Sequence, residues 1–278
     1  MSENTDTIYR TIKDPQQYLR EYTDLMNART NRLRIEAVLE VLPMQFRAGA
    51  RVLDVGAGGG AYSKKLEERG WKLELFSLDL EKTCVEAYRL NHPGAKGTVG
   101  DAVLCPFAAF SFDLILAIDI IEHLPDDTAF LAGMKRLLKP NGVLVICTQN
   151  SASIENAIGT CLSLIRGKKW VGWDPTHLRF YTSQNLARML RAQELEVFGV
   201  NGTYYFPFHL PARVLSKPFE MMGLDRLAQR LYDVLVLPFY ALNYPFEKLS
   251  KIFPFQHFGW GVIVQARKPR GNFESSRD

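Results

Sequence analysis

The glycine-rich stretch at residues 51–66, RVLDVGAGGGAYSKKL, limits the folds open to this chain more than any other feature. A short apolar run of Val52, Leu53 and Val55 leads into four glycines with one alanine among them, and a helix-forming segment follows. A strand that ends in glycines and turns directly into a helix opens the nucleotide-binding unit of many α/β sheets. The stretch therefore predicts a glycine loop that holds a ligand, and the rest of the sequence must indicate which one.

Strand-like and helix-like segments alternate after this loop. Strands are predicted at 51–55, 72–78, 95–99, 112–118 and 142–148, and helices at 61–69, 81–90 and 127–138. Such alternation predicts a doubly wound α/β fold, in which a parallel sheet with right-handed crossovers carries helices on both faces. Residues 112–118, FDLILAI, are almost continuously apolar, as expected of a central strand that is covered on both sides.

The pattern changes after Thr148, and the change predicts how the chain is divided. An irregular segment at 149–182 is followed by a helix at 183–192 and by a strand pair at 195–204 and 259–266. We expect three units, namely an N-terminal helical segment at 1–50, a main domain at 51–205 and 257–268, and a helical lid at 206–256. Because the irregular segment and the lid both follow strands of the sheet, they should roof the edge where ligands bind.

Charge and cysteine content exclude several classes of protein. The 34 basic and 30 acidic side chains give a net charge of +4, which is too mild a balance for a nucleic-acid-binding protein. The four scattered cysteines form no CxxC pair, which is typical of reduced thiols in a cytoplasmic protein. The opening residues are polar and predict no secretory signal. The longest uncharged stretch near the C-terminus, 234–246, falls short of the roughly 20 apolar residues that a membrane-spanning helix needs.

Two kinds of cofactor bind on glycine loops of this type. A nicotinamide dinucleotide is supported by the spacing Gly56-x-Gly58-x-x-Ala61 and by Asp79, which ends the next strand at a suitable distance for ribose hydroxyls. S-adenosyl-L-methionine is supported by acids at the ends of four consecutive strands, Asp54, Asp79, Asp101 and Asp119. A row of carboxylates favours a positively charged sulfonium ligand over a diphosphate.

An ordered set of motifs points to one family. The succession VLDVGAGGG, LFSLD, VGDA, FDLILAIDIIEHL and LKPNGVLVICTQN resembles the class I S-adenosylmethionine-dependent methyltransferases, over roughly residues 32–205 and the last strand. The closest subgroup contains the ubiquinone-biosynthesis O-methyltransferases and related lipid and sugar methyltransferases. The resemblance implies a Rossmann-like sheet of seven strands whose last strand is antiparallel.

The same resemblance implies which residues hold the cofactor. The glycine loop would pass under it, Asp79 would hold the ribose hydroxyls, Asp101 would lie beside the adenine, and Asp119 would line the methionine end. An arginine before the first strand would contact the cofactor carboxylate, and Arg34 matches best although Arg32 is close. The implied cofactor set is Arg34, Asp54, Gly56, Ala57, Gly58, Asp79, Leu80, Asp101, Ala102, Ile118 and Asp119.

Two histidines are candidate catalytic residues. Methyl transfer from a sulfonium requires alignment of the reacting atoms, and an oxygen nucleophile also benefits from a base. His123, in the segment DIIEH, follows the fourth strand, and His177, in DPTHLRFY, follows the fifth. Each has an alternative structural role. In the ubiquinone-type enzymes the first segment can hold a divalent metal, but here Asp119 replaces the longer glutamate, so we predict no metal.

The lid composition bears on the substrate. Leu224, Leu227, Leu231 and Leu235 follow helical spacing, with prolines, aromatic residues and basic residues around them. Such a segment suits either peripheral contact with a membrane and a lipid-like substrate, or an ordinary helical cap. The sequence therefore predicts an S-adenosylmethionine-dependent methyltransferase that acts on a small or lipid-like acceptor, most simply at oxygen. The alternatives are methylation at nitrogen or carbon of a polar or sugar substrate, an NAD-dependent oxidoreductase, and a non-catalytic cofactor-binding protein.

Overall fold

The computed structural model describes residues 11–27, 29–42, 46–165, 167, 176–203, 215–219, 222–224, 226–235 and 257–270. The helices are α1 (Pro15–Asn27), α2 (Arg29–Glu40), α3 (Ala61–Glu68), α4 (Lys82–Asn91), α5 (Asp127–Leu137), α6 (Ile154–Ile165) and α7 (Ser183–Ala192). The strands are β1 (Ala50–Val55), β2 (Leu73–Asp79), β3 (Lys96–Val99), β4 (Phe112–Ile118), β5 (Leu138–Gln149), β6 (Glu196–Thr203) and β7 (Gly261–Arg267).

The strands form one seven-stranded sheet in the order β3-β2-β1-β4-β5-β7-β6. The five strands from β3 to β5 are parallel, and β7 runs antiparallel to both of its neighbours. This arrangement confirms the predicted doubly wound fold with an antiparallel last strand. The strand order reverses between β1 and β4, where their carboxyl ends leave a crevice that such sheets use for ligands.

Two apolar clusters cover the two faces of the sheet. Alternate residues of β4 divide between them, with Ile115 on the face of α5 and α7, and Leu114 on the face of α2 and α3. Successive side chains of a strand point to opposite faces, so a strand buried on both faces is apolar at nearly every position. This burial explains the apolar residues of 112–118, among which the one acid, Asp113, is only partly buried and accepts hydrogen bonds from the N–H of Arg51 and from Lys139.

Three local features concern where elements begin. The side chain of Asp14 accepts a hydrogen bond from the N–H of Gln17 at 2.6 Å, which caps the start of α1 ahead of Pro15. The strand predicted at 142–148 begins earlier, as β5, and residues 139–142 form an irregularity within it, where Asn141 has a φ of 62°. Part of the segment predicted to be irregular is the helix α6, whose start is capped by Ser153, with its hydroxyl 3.1 Å from the N–H of Asn156.

Hydrogen bonds hold the C-terminal root of the long insertion, at residues 257–259, beside the sheet. The side-chain amide of Asn150 donates to the carbonyls of His257 and Gly259 at 2.8 and 2.7 Å, and Ser183 lies 2.7 Å from Nδ1 of His257. Most of the predicted lid at 206–256 lies outside the described residues, apart from helical segments at 215–219 and 226–235. Among the helices that are described, none combines the length and the apolar character needed to cross a bilayer.

Candidate active site

The glycine loop between β1 and α3 is closed by its own hydrogen bonds. The N–H of Gly56 donates to the carbonyl of Leu78, that of Gly58 to Oδ2 of Asp79, and that of Gly60 to the carbonyl of Ala57, at 2.8, 3.1 and 2.8 Å. Gly56 has a φ of 67°, and a Cβ added there would lie 2.8 Å from Cδ1 of Ile120. The loop therefore requires glycine at this position, both for its backbone conformation and for space.

Asp79 lies at the carboxyl end of β2, where the sequence predicts a ribose contact. One carboxylate oxygen accepts the Gly58 N–H, and the other accepts the N–H of Glu81 at 3.1 Å. Burial raises the pKa of Asp79, and these backbone donors oppose the rise. The next side chain, Leu80, is 71% exposed and is thus available to a ligand at this end of the loop.

Asp54 lies beneath the loop. Its carboxylate accepts a hydrogen bond from Ser63 on α3 at 2.7 Å, and Ser63 is in turn 2.9 Å from the hydroxyl of Tyr88 on α4. Burial raises the pKa of Asp54 from 3.8 to about 7, against the opposing effect of Ser63. An effect of Asp54 on a bound cation would thus act from under the glycines, and its membership of the cofactor set stays a prediction.

Replacement of Asp54 by asparagine is expected to flatten the pH dependence of stability. Because the folded-state pKa is raised from 3.8 to about 7, the stabilising effect of the neutral carboxyl is full below 3.8 and is lost as the pH rises through about 7. The free energy of unfolding, measured with urea across this range, should fall less steeply in Asp54→Asn than in the wild type.

Asp113→Asn is the matched control for this experiment. Burial raises the pKa of Asp113, but the hydrogen bond from Lys139 and the N–H of Arg51 bring it below its ordinary value of 3.8. Its stabilising effect is therefore present above 3.8 and lost as the pH falls through the depressed value, which is the opposite trend. Parallel curves for the wild type and Asp54→Asn would contradict the assignment.

Arg34 and Asp119 form an ion pair at the end of β4. Asp119 has a φ of 50°, and its N–H donates to the carbonyl of Cys147 at 2.8 Å. Arg34 also donates to the hydroxyl of Tyr62 at 3.3 Å. Of the two arginines considered from the sequence, Arg34 reaches the strand ends, whereas the side chain of Arg32 is exposed. A cation and an anion are thus paired where a methionine group is predicted.

The remaining predicted cofactor residues lie along the same edge. Asp101 follows β3 and is exposed, with Oδ1 accepting the N–H of Val103 at 2.7 Å. Ala57, Ala102 and Ile118 are buried beside the strand ends. The predicted residues therefore form an extended strip, which runs from Asp101 beyond β3 to Asp119 beyond β4.

The two candidate histidines come together beyond this strip. The ring centres of His123 and His177 are 4.8 Å apart, and the hydroxyl of Thr176 lies 3.0 Å from Nδ1 of His123. The N–H of Leu178 donates to the carbonyl of Glu122 at 2.9 Å and joins the two segments. The structure thus brings together two residues that the sequence selects separately.

Glu122, which the sequence considers only as part of the possible metal segment DIIEH, is 1% exposed, and burial raises the pKa of its carboxyl, which lies beside His123. Two further residues of this site are not predicted from the sequence. Thr176 contacts His123, and Tyr62 contacts Arg34. Thr176 adjoins His177 in the chain, which is a usable signal, whereas nothing in the sequence marks Tyr62.

The cluster also meets a geometric requirement for a metal ion. One donor atom each from Glu122, His123 and His177 lies within 4.8 Å of the other two. A carboxylate with two imidazoles is a donor set that divalent transition metals accept. Asp119 is not in this set, because its carboxylate is paired with Arg34. The prediction of no metal at the segment DIIEH remains a prediction.

Comparison with known proteins identifies related sequences. A family model described as "Methyltransferase domain" matches residues 26–199. The chain is 31% identical over 179 residues to the ubiquinone biosynthesis O-methyltransferase of Idiomarina loihiensis, covering 61% of this chain and 70% of that protein. It is also 31% identical over 175 residues to the enzyme of that name from Xanthomonas oryzae pv. oryzae, covering 61% and 72% of the two chains.

Solved structures with the same fold are more distant in sequence. Phosphoethanolamine N-methyltransferase 2 of Haemonchus contortus, in complex with S-adenosyl-L-methionine, matches with a TM-score of 0.60 and 18% identity, covering 95% of this chain and 60% of that chain. The [4+2]-cyclase SpnF matches with a TM-score of 0.55 and 20% identity, covering 86% and 80%. These two likenesses show a common fold, which by itself hosts different reactions.

Proposed function

Because the chain belongs to the methyltransferase domain family, we propose that it transfers a methyl group to a hydroxyl of a small or lipid-like acceptor. The chain is an S-adenosyl-L-methionine-dependent methyltransferase. Oxygen as the accepting atom is supported by the relatives named ubiquinone biosynthesis O-methyltransferase.

One observation favours S-adenosylmethionine over a nicotinamide dinucleotide. The amides of Gly56, Gly58 and Gly60 donate to groups of the protein itself, and the acceptor for Gly58 is the carboxylate of Asp79. A diphosphate binds such a loop through free N–H groups and is repelled by carboxylates. A loop in which these three glycine amides are already satisfied suits a ligand that packs on the backbone without phosphate.

The proposed cofactor lies along the strip from Asp101 to Asp119. Its adenine would lie beside Ala102 and Leu80, and its ribose hydroxyls would donate to Asp79. At the other end lies the ion pair of Arg34 and Asp119. Its guanidinium can bind a carboxylate of the ligand, and its carboxylate can bind an ammonium group. A free amino-acid group carries both of these charges, so the methionine part of the cofactor is matched by charge.

His123 is the proposed base for the accepting hydroxyl. It follows Asp119 in the chain, in the 3₁₀ turn Ile121–His123 after β4, at the end of the sheet where the methionine part is proposed to lie. In-line transfer places the nucleophile opposite the leaving sulfur, and removal of its proton speeds the step. A phenolic hydroxyl, with an ordinary pKa of about 10, is more readily deprotonated by histidine than an alcohol is.

The described part of the lid supports a lipid-like acceptor or a membrane surface. In the helical segment 226–235, Ala228 and Tyr232 are buried, whereas Leu227 and Val234 are 49% and 66% exposed. Exposed Arg226 and Arg230 lie on the same segment. Apolar side chains flanked by arginines suit the surface of an anionic membrane.

Mutation of the exposed apolar residues is expected to weaken membrane binding. In flotation with vesicles that contain anionic lipid, the double variant Leu227→Glu/Val234→Glu should float less than the wild type, because buried apolar area and attraction to the lipid are both reduced. Phe110→Glu, an exposed apolar residue before β4 at the opposite edge of the sheet, is the control. Equal flotation of the double variant and the wild type would count against membrane contact through this segment.

Isotope transfer tests the proposed function directly. Extracts of metabolites and lipids are incubated with the protein and S-adenosylmethionine labelled with deuterium in its methyl group. We expect a product that carries the labelled methyl on oxygen, as shown by mass spectrometry and fragmentation. Label on nitrogen or carbon would replace the proposed acceptor atom, while methyl transfer itself would stand.

A further inference from the structure

The carbonyl groups of the glycine loop are held from behind by α4. The side-chain amide of Asn91 donates to the carbonyl of Gly59 at 2.8 Å, and Nε2 of His92 lies 3.1 Å from the carbonyl of Gly60. Because a carbonyl oxygen can only accept, Nε2 carries a hydrogen in this contact. Two consecutive residues thus satisfy two consecutive carbonyls of the loop.

His92 also connects the loop to the helix that follows it. Its Nδ1 lies 2.8 Å from a carboxylate oxygen of Glu67 on α3, and its ring packs against Tyr88 with centres 4.5 Å apart. The side chain of His92 is fully buried. A buried imidazole with a partner at each nitrogen has little freedom, so it can fix the position of whatever it contacts.

Side chains from α4 and α1 pack closely against the glycine loop and restrict its movement. Gly60 has a φ of 79°, and a Cβ added there would lie 2.4 Å from Nε2 of His92 and 2.7 Å from ring atoms of Tyr88. From the other side, the hydroxyl of Tyr22 on α1 lies 3.4 Å from the carbonyl of Ala57. The loop is therefore enclosed between α4 and α1 at the place where the cofactor is proposed to lie.

We propose that Asn91 and His92 are positioning residues that set the affinity for S-adenosylmethionine. By holding the carbonyls of Gly59 and Gly60 behind the loop, they keep its backbone in the shape on which the cofactor packs. Binding then requires little ordering of the loop, which is the general benefit of a preorganised site. The inference rests on the proposed placement of the cofactor above the glycines.

Two substitutions of His92 separate positioning from general stability. In His92→Gln the amide nitrogen can occupy the place of Nε2 and donate to Gly60, whereas in His92→Asn it lies near the place of Nδ1, so that the Gly60 carbonyl keeps only the N–H of Lys64, at 2.9 Å, as a donor. Binding of S-adenosylhomocysteine is measured by calorimetry, with the KM for S-adenosylmethionine, kcat and Tm measured on the same proteins. We expect about tenfold weaker binding for His92→Asn, a rise in KM without a comparable fall in kcat, and near-normal binding for His92→Gln.

Asn91→Asp provides an independent variant if His92→Asn does not fold. It places a charged acceptor against the carbonyl of Gly59, and we expect S-adenosylhomocysteine affinity to fall by about tenfold or more. Equal binding by His92→Gln and His92→Asn would overturn the role of the Nε2 contact, whether both are normal or both are weak. A wild-type protein that does not bind S-adenosylhomocysteine would overturn the cofactor placement as well.

Discussion

Replacement of His123 by glutamine is expected to lower kcat by about 10²- to 10⁴-fold, the range that a general base contributes. Glutamine keeps a polar side chain of similar reach but cannot accept the proton of the substrate hydroxyl. Because His123 lies beyond the strip that runs from Asp101 to Asp119, affinity for S-adenosylhomocysteine should remain close to that of the wild type. Steady-state turnover and calorimetric binding on the same preparation measure the two quantities.

His177→Gln and chelation distinguish the other roles open to this cluster. If His177 is the base, the large loss in kcat will follow its substitution and not that of His123. If a divalent cation on Glu122, His123 and His177 is required, dialysis against a chelator will abolish turnover and added metal will restore it. We expect chelation to leave wild-type turnover unchanged, since the proposed role of His123 is direct proton transfer.

Asp79→Ala is expected to weaken S-adenosylhomocysteine binding by about 10²-fold or more, because hydrogen bonds to a charged group contribute about 1.5–3 kcal/mol each. The substitution removes the proposed acceptor for two ribose hydroxyls. It also releases the N–H of Gly58, which the carboxylate holds at 3.1 Å. The KM for S-adenosylmethionine should rise far more than kcat falls, since the ribose does not change during transfer.

Glu74→Gln is the matched control for Asp79→Ala. Glu74 lies at the opposite end of the same strand, β2, and its side chain is largely exposed at a distance from the loop. The substitution removes one negative charge away from the cofactor strip, so the affinity for S-adenosylhomocysteine should be unchanged. A similar loss of affinity in both variants would show that net charge, and not the ribose contact, is responsible.

The predictable part of this molecule depends on local pattern. The turn from β1 through glycine to α3, the alternation of elements and the apolar run of β4 follow from residues close together in the chain. The approach of His123 to His177 was also open to prediction, because both follow parallel strands that end at one edge. The helix α6 lies in a segment for which the sequence predicts irregular structure, and it contains Gly159. A single glycine inside a helix costs only about 1 kcal/mol, which a capped start can offset.

Contacts between distant segments account for the rest. Strand alternation places Asp54 on the same face as Val52, but only the packing of α3 over that face brings Ser63 to its carboxylate. The ion pair of Arg34 with Asp119 likewise joins α2 to the end of β4. No pattern within one segment indicates which distant residue it will contact. The sequence therefore predicts four similar acids at the strand ends, whereas in the structure these acids lie in different environments.

The place of β7 in the sheet has a consequence for the nascent chain. β7 lies between β5 and β6, yet it is the last of the described strands to leave the ribosome. Until residues 261–267 emerge, β5 and β6 each present a strand edge with open hydrogen-bonding groups, and Val41 lacks its contact with Gln265. Such edges pair readily with those of other chains. Polypeptides interrupted before this strand should therefore depend on chaperones and be prone to degradation, even though every residue of the glycine loop is already present.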